Sequence, residues 1–481
     1  MDHGPLFGSV VTLARHLGEA TVRRIAVLAL TVLVAGCAPK AGVSTTSPVT
    51  TSPGTSTTTA LPTSSTSALP EGLVIPAQCE GRTITTTPLV EPTSTTIAPD
   101  ELTAASQLLV LESFDRVFRE TYFDPDLGGI DWSAAIAGLR AEIDAGMSTA
   151  VLYGRLDGLV ESLGDEHSRF ETPAQVAESD EIFAGDNDYE GIGIVATAVP
   201  EDQLITIITV FPGSPADLAG IESHDSILAV DGIALGDEPG QQSARLRGPE
   251  CSLVTMTVRT PGEPERSVAA VRARVTGNIP IEAMIAPDAA GRRVGFMMIP
   301  TFADNTIDDQ VRDTLEEWGP LDGLILDLRV NGGGSSVVAE PIMSLFVSGL
   351  IGEYASREDT RQLSIEADPI HNSATVPLAI LIGEHTESYG EIISGILGAR
   401  DRTVLIGSTT TGNVETLHGF SLPGGSKLWI AAEVFRLLAD PDADWERDGI
   451  RVDIEIPVDW EDFTFETDPA LDAALAALAA A

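Results

Sequence analysis

The stretch VPLAILIGEHTESYGEIISGILGA, residues 376–399, passes from a continuous apolar run through a polar turn into a segment with apolar positions three and four apart. A short apolar run without alternation reads as a strand buried on both faces, and the following periodicity reads as a helix. The turn between them holds Ser388. Ser388 and Glu391 make S-x-x-E, the capping box that satisfies free N–H groups at a helix start. Ser388 is therefore both a candidate cap and a candidate nucleophile.

Outward from this unit, residues 277–470 alternate apolar β runs with helical segments: RVGFMMI (293–299), a helix near 306–318, LDGLILDLR (321–329) and a helix from about 335. Such alternation predicts an α/β layer with a largely parallel sheet, in which sites form at the carboxyl ends of strands. Two turns occupy such ends, VNGGGSS (330–336) and EHTES (384–388). A serine hydroxyl needs a base within hydrogen-bond reach and donors for the oxyanion that develops. The N–H of Tyr389 at the helix start is one candidate donor. A glycine N–H of the NGGG turn, with Gly333 at its centre, is the other. Glycine there also suits a tight turn of positive φ.

Upstream, residues 183–276 carry short β-type runs separated by Gly, Pro and Asp turns, and residues 101–178 carry three segments of helical periodicity ending in the polar turn LGDEHSRFETP (163–173), which contains His167. The first hundred residues differ from the rest. Arg23-Arg24 precede the apolar run IAVLALTVLVAG and Cys37, a pattern resembling a bacterial lipobox, with a membrane-spanning anchor as the alternative. Cleavage before Cys37 would leave that residue lipid-modified and the chain extracytoplasmic, attached to the cell membrane. From Ala38 to about Pro99, Ser, Thr and Pro dominate, predicting a disordered tether. Cys79 and Cys251 remain, and in an oxidising compartment they can pair or stay as thiols.

The formal net charge of −44 argues against nucleic acid as a partner. No metal-ligand spacing or phosphate loop is present, and no cofactor is expected; GIGI is not a dinucleotide fingerprint because no helix follows it. Lysine occurs only at Lys40 and Lys427.

The loop Gly191-Ile192-Gly193-Ile194, the segment GSPADLAGI (213–221) and DSILAVDG (225–232) resemble a PDZ domain. That resemblance implies that the glycine loop holds a peptide's terminal carboxylate while the peptide adds a strand. With LDGLILDLRVNGGG, LAILIGEHTESYGEI, TVLIGSTTTGN and WERDGIRVDIEI in that order, residues 100–470 resemble the C-terminal processing (tail-specific) peptidases. The resemblance implies a multidomain α/β and α+β chain with a helical domain 100–180, a PDZ domain 181–276 and a catalytic domain 277–470 of the ClpP/crotonase type; the lipobox-like pattern and the composition add signal 1–36 and lipidated cysteine and tether 37–99 before it, and 471–481 is left as a tail. It implies a serine endopeptidase with Ser388 as nucleophile, acting on polypeptides with a free C-terminus. The family's usual lysine base falls at Asn413. The tricorn core proteases, a second branch, use a histidine and a glutamate, which maps to His167 and Glu446. His385, His418 and Lys427 are the other candidate bases. A pseudo-protease scaffold that binds peptides without cleaving them is the alternative function.

Overall fold

The computed structural model describes residues 69–70, 72–86, 101–164, 167–184, 188–236, 239–286 and 291–480. The lipobox-like segment, Cys37 and most of the expected tether lie outside these residues. Among the described residues no helix is long and apolar enough to cross a membrane.

Helices Ala104–Thr121, Trp132–Asp144 and Thr149–Glu161 start at Thr103, Asp131 and Ser148, each of which accepts a backbone N–H of the first turn. Their apolar stripes bury Leu111, Phe114, Phe118, Leu139, Leu152 and Leu156 in one core. Strand β1 (Arg169–Glu171) and helix Pro173–Phe183 follow.

The next unit comprises β2 (Tyr189–Gly191), β3 (Ile194–Val199), β4 (Leu204–Val210), β5 (Ser226–Val230), β6 (Ile233–Ala234), β7 (Leu253–Arg259), β8 (Arg266–Val271) and β9 (Ala273–Val275). Its main sheet runs β3-β4-β5-β7-β8, so β3 is an edge strand, while β2 pairs with β9. Residues 72–86, expected as tether, are instead anchored to this unit. Cys79 is buried and disulfide-bonded to Cys251, and Thr85 bridges to Ser252.

The third unit holds two sheets. One runs β10 (Glu282–Ala286), β11 (Val294–Met298), β12 (Gly323–Asp327), β15 (Leu378–Ile382), β16 (Thr403–Gly407), β19 (Ile454–Glu455), parallel except for β10. The other joins β13 (Gly349–Ala355), β14 (Thr360–Ile365), β17 (Glu415–Ser421) and β18 (Lys427–Leu437), and β1 completes it by pairing antiparallel with β18. The helical unit thereby shares its core with Leu428, Ile430 and Ala431 of β18.

Side chains of β12 alternate between two cores, as the pleat requires. Leu324 and Leu326 face helices Ile307–Trp318, Ser336–Ser344 and Tyr389–Gly398. Ile325 faces helix Pro469–Ala480 together with Val195, Ile208, Phe211 and Val275 of the PDZ-like unit. Residues 471–481 were expected as a tail. Through residue 480 they belong to that helix, because Leu471, Ala474 and Leu478 bury against the sheet. At the end of β12, buried Arg329 bonds both oxygens of Asp327 and of Asp468. Burial alone would favour a neutral guanidinium, but the two carboxylates hold it firmly charged.

Candidate active site

β12 and β15 are adjacent and parallel, so the turns that follow them meet at one edge of the sheet. They are joined by the Thr386 hydroxyl donating to Leu328 O (2.7 Å) and the Glu387 N–H donating to Asn331 O (3.0 Å). Gly333, at φ 83°, sits where a Cβ would lie 2.7 Å from Ser388 Cβ and 3.0 Å from the Tyr389 nitrogen. Glycine is required by both conformation and proximity.

Ser388 precedes helix Tyr389–Gly398 with φ 53° and ψ −122° and makes no side-chain cap bond. Its hydroxyl has no hydrogen-bond partner among the described residues, so the capping-box reading gives way to a different use of the same motif. Glu391 is fully buried. Instead of turning back to Ser388 N–H, its carboxylate accepts from the Thr410 hydroxyl, the Gly412 N–H (3.0 Å) and the Asn413 N–H (2.7 Å). Burial pushes its pKa up to about 7 against the pull of those bonds.

The Ser388 N–H donates to Asn413 O at 2.7 Å. On the other side of the same peptide group, the Val414 N–H donates to Glu446 Oε2 at 2.8 Å. Standard bond lengths then place the Glu446 carboxylate within about 8 Å of the Ser388 nitrogen. Glu446 Oε1 is 3.1 Å from His167 Nε2, and Glu415 Oε2 is 3.7 Å from the same nitrogen. The His167 and Glu415 side chains are 7% and 5% exposed. Burial opposes ionisation of Glu446, but His167 and the N–H groups of Val414 and Glu415 outweigh it and hold its pKa below the usual carboxylate value.

Three elements supply this cluster. His167 lies in the turn that β1 fastens to β18, Glu415 opens β17, and Glu446 lies on the one-turn helix Trp445–Asp448. The ligand atoms of the three residues lie within 4.8 Å of one another, a metal-competent grouping that no spacing in the sequence signals. Glu415 was not among the sequence candidates. An isolated glutamate at a strand start carries no local mark.

The other candidate bases are placed elsewhere. Lys427 pairs opposite Ser421, at the far end of the β17–β18 ladder from the Glu415–Val434 pair, roughly 23 Å along the strand at the usual rise per residue. Its ammonium sits 4.0 Å over the Trp429 ring. His418 is bound to Glu433 at 3.2 Å and is 42% exposed. His385 lies in the turn three residues before Ser388, half-buried.

Of the two oxyanion donors expected, the Tyr389 N–H has no partner among the described residues, in keeping with a first-turn helix donor. The Gly333 N–H is different. It donates to Asn331 Oδ1 at 2.8 Å, so this glycine permits the close approach of the two turns while its own donor is taken. The Tyr389 side chain turns inward to meet the Tyr354 hydroxyl at 3.0 Å.

In the PDZ-like unit, Gly193 adopts φ 85° and its carbonyl accepts from Phe211 N–H and the Ser214 hydroxyl, while Ile192 O accepts from Ala216 N–H. The Ile192 N–H has no partner among the described residues, while the Gly193 N–H points at the Tyr189 hydroxyl. The Ile194 N–H does, donating to the Tyr189 hydroxyl at 3.1 Å. Gly191 pairs with Ala273 and sets the loop's start.

Comparison with known proteins agrees with this fold. Residues 293–456 match peptidase family S41 and residues 206–260 match the PDZ domain. The chain is 27% identical over 329 residues to the carboxyl-terminal-processing protease of Synechocystis sp., covering 67% of this chain and 76% of that protein. It is 25% identical over 374 residues to carboxyl-terminal-processing peptidase 3, chloroplastic, of Arabidopsis thaliana, covering 74% and 69%. Among solved structures, the photosystem II D1 C-terminal processing protease aligns with TM-score 0.52 at 25% identity, covering 78% of this chain and 97% of that one. With its PDZ domain, its α/β sheet and a serine at the strand-to-helix turn, the chain carries a peptidase family S41 domain at residues 293–456 and is similar to the carboxyl-terminal processing proteases.

Proposed function

We propose that this chain is an active endopeptidase of the cell envelope that captures the C-terminal end of a polypeptide in its PDZ domain and cleaves it at Ser388. Ser388 attacks the scissile carbonyl, His167 takes its proton and returns it to the leaving amine, and Glu446 holds the imidazole and stabilises its charged form. The Tyr389 N–H at the helix start receives the developing oxyanion. The observation that carries this reading is the single peptide group 413–414, bonded to Ser388 N–H on one side and to the partner carboxylate of His167 on the other. That peptide group ties the His167–Glu446 pair to the turn of the serine, although the family's lysine position holds Asn413.

Ser388 Oγ and His167 are not hydrogen-bonded in this arrangement. Catalytic contacts are often long before substrate binds, and substrate must bring the two together here. For the peptide site, the N–H of Ile192 is the available donor for a terminal carboxylate, with β3 as the edge that a peptide extends. An extracytoplasmic location is supported by the Cys79–Cys251 disulfide, a bond that persists in oxidising compartments. The lipobox-like segment before Cys37 adds a lipid anchor to this reading.

The second reading, a peptide-binding pseudo-protease, is favoured by Asn413 and by the separated serine and histidine. A serine-directed fluorophosphonate probe together with a C-terminally labelled polypeptide decides between them. Labelling and cleavage that vanish in Ser388→Ala and fall at least a hundredfold in His167→Ala support the peptidase. Absent labelling with retained peptide binding supports the scaffold.

A further inference from the structure

We propose that His167, Glu415 and Glu446 form a site for a divalent transition-metal ion of the zinc type, and that an ion bound there silences the peptidase. The binding site stands on its own geometry; the silencing rests on His167 being the base.

One imidazole and two carboxylates are a donor set that zinc accepts. Tetrahedral bonds of 2.0–2.2 Å put neighbouring ligand atoms about 3.4 Å apart, and the His167 Nε2 distances of 3.1 Å to Glu446 and 3.7 Å to Glu415 fall on either side of that value. The three side chains come from a turn, a strand end and a helix, all fixed by the surrounding fold. Glu446 is oriented by the Val414 N–H on its second oxygen, the kind of outer bond that holds metal ligands in place. Glu446 is 29% exposed and the other two are buried, so an ion enters from one side and retains water on that side.

Charge favours the ion as well. A neutral imidazole with two carboxylates carries two negative charges in a chain whose net charge is −44. The Nε2 nitrogen lies 3.1 Å from Glu446 and 3.7 Å from Glu415, so a proton there bonds the first carboxylate better than the second. A divalent ion can bind both carboxylates at once. Because it occupies Nε2 and engages Glu446, it removes the base and its partner in one step.

The test is a calorimetric titration of the untagged full chain carrying Ser388→Ala, so that no turnover interferes, with zinc chloride. The expected result is one saturable equivalent, weakened at least tenfold by Glu415→Gln and by His167→Ala, as loss of even an outer partner costs 10–100-fold. No saturable equivalent, or unchanged affinity in folded Glu415→Gln, overturns the site. If Glu415→Gln does not fold, cobalt(II) bound to the parent chain decides: intense visible bands of a low-coordinate ion support the site, and the weak bands of a six-coordinate ion overturn it. With the active chain, zinc should suppress cleavage, and Glu415→Gln should need at least ten times more. Cleavage that persists with the site saturated overturns the silencing and removes His167 as base, while the site remains. Cleavage surviving Ser388→Ala defeats the peptidase reading and leaves zinc binding as it was.

Discussion

Replacing Glu391 by Gln removes a buried charge from the loop beside Ser388, and the consequence for stability can be worked from its surroundings. Burial lifts the carboxyl from 4.5 to about 7, despite the bonds from Thr410, Gly412 and Asn413. Between those values the folded chain keeps a proton that the unfolded chain has released, so this group's contribution makes the protein less stable as pH rises through the window. At about 1.4 kcal/mol per pH unit the whole effect is on the order of 3 kcal/mol. The Gln variant does not titrate there. The stability of the parent relative to Glu391→Gln should therefore fall by about 3 kcal/mol between pH 4.5 and pH 7.5 and stay level on either side. A constant penalty of about 1–3 kcal/mol is superimposed, because an amide offers one acceptor oxygen to three donors. Equilibrium urea unfolding of both proteins at half-unit pH steps measures the difference, in which the other carboxylates cancel. Two curves separated by a constant amount would refute the argument.

Three further outcomes follow from the same geometry. Asn413→Ala should retain cleavage within about threefold, since Asn413 acts on Ser388 through its carbonyl; a loss of a hundredfold or more would give its side chain a role. Gly333→Ala should destabilise by about 1–3 kcal/mol through its positive φ and, by pushing its Cβ toward Ser388, abolish fluorophosphonate labelling; normal labelling would mean the two turns are not in contact as described. Tyr189→Phe leaves the Ile194 N–H without its hydroxyl partner, so a peptide with a free C-terminus should bind up to about tenfold tighter by fluorescence anisotropy; weaker binding would count against a groove at this edge.

The turn at Ser388 and the glycine turn beside it were legible in the sequence because each follows a continuous apolar run, and two such runs pair as neighbours in a parallel sheet. The S-x-x-E motif misled in one respect. It is a local pattern, while Glu391 spends its carboxylate on N–H groups some twenty residues downstream, and the tertiary contact prevailed over the cap. His167 and Glu446 were paired only by resemblance, since 279 positions separate them and their meeting depends on β1 joining β18. Nothing near Glu415 distinguishes it from the other carboxylates of so acidic a chain. The C-terminal helix carried a usable signal in its Ala and Leu content, but its burial depends on a sheet face set by residues 150 positions earlier.

The core shared by Val195, Ile208, Phe211 and Val275 with Ile325 and the C-terminal helix has a bearing on modular rearrangement. A PDZ domain joined by a linker can be excised or exchanged like a cartridge. Here that operation would cut through an oily interior and leave both fragments adhesive to other chains. On the proposed peptide-binding role, a change in what this chain recognises is then more readily made by single substitutions in the loops around Gly193 and Tyr189 than by exchange of the whole unit.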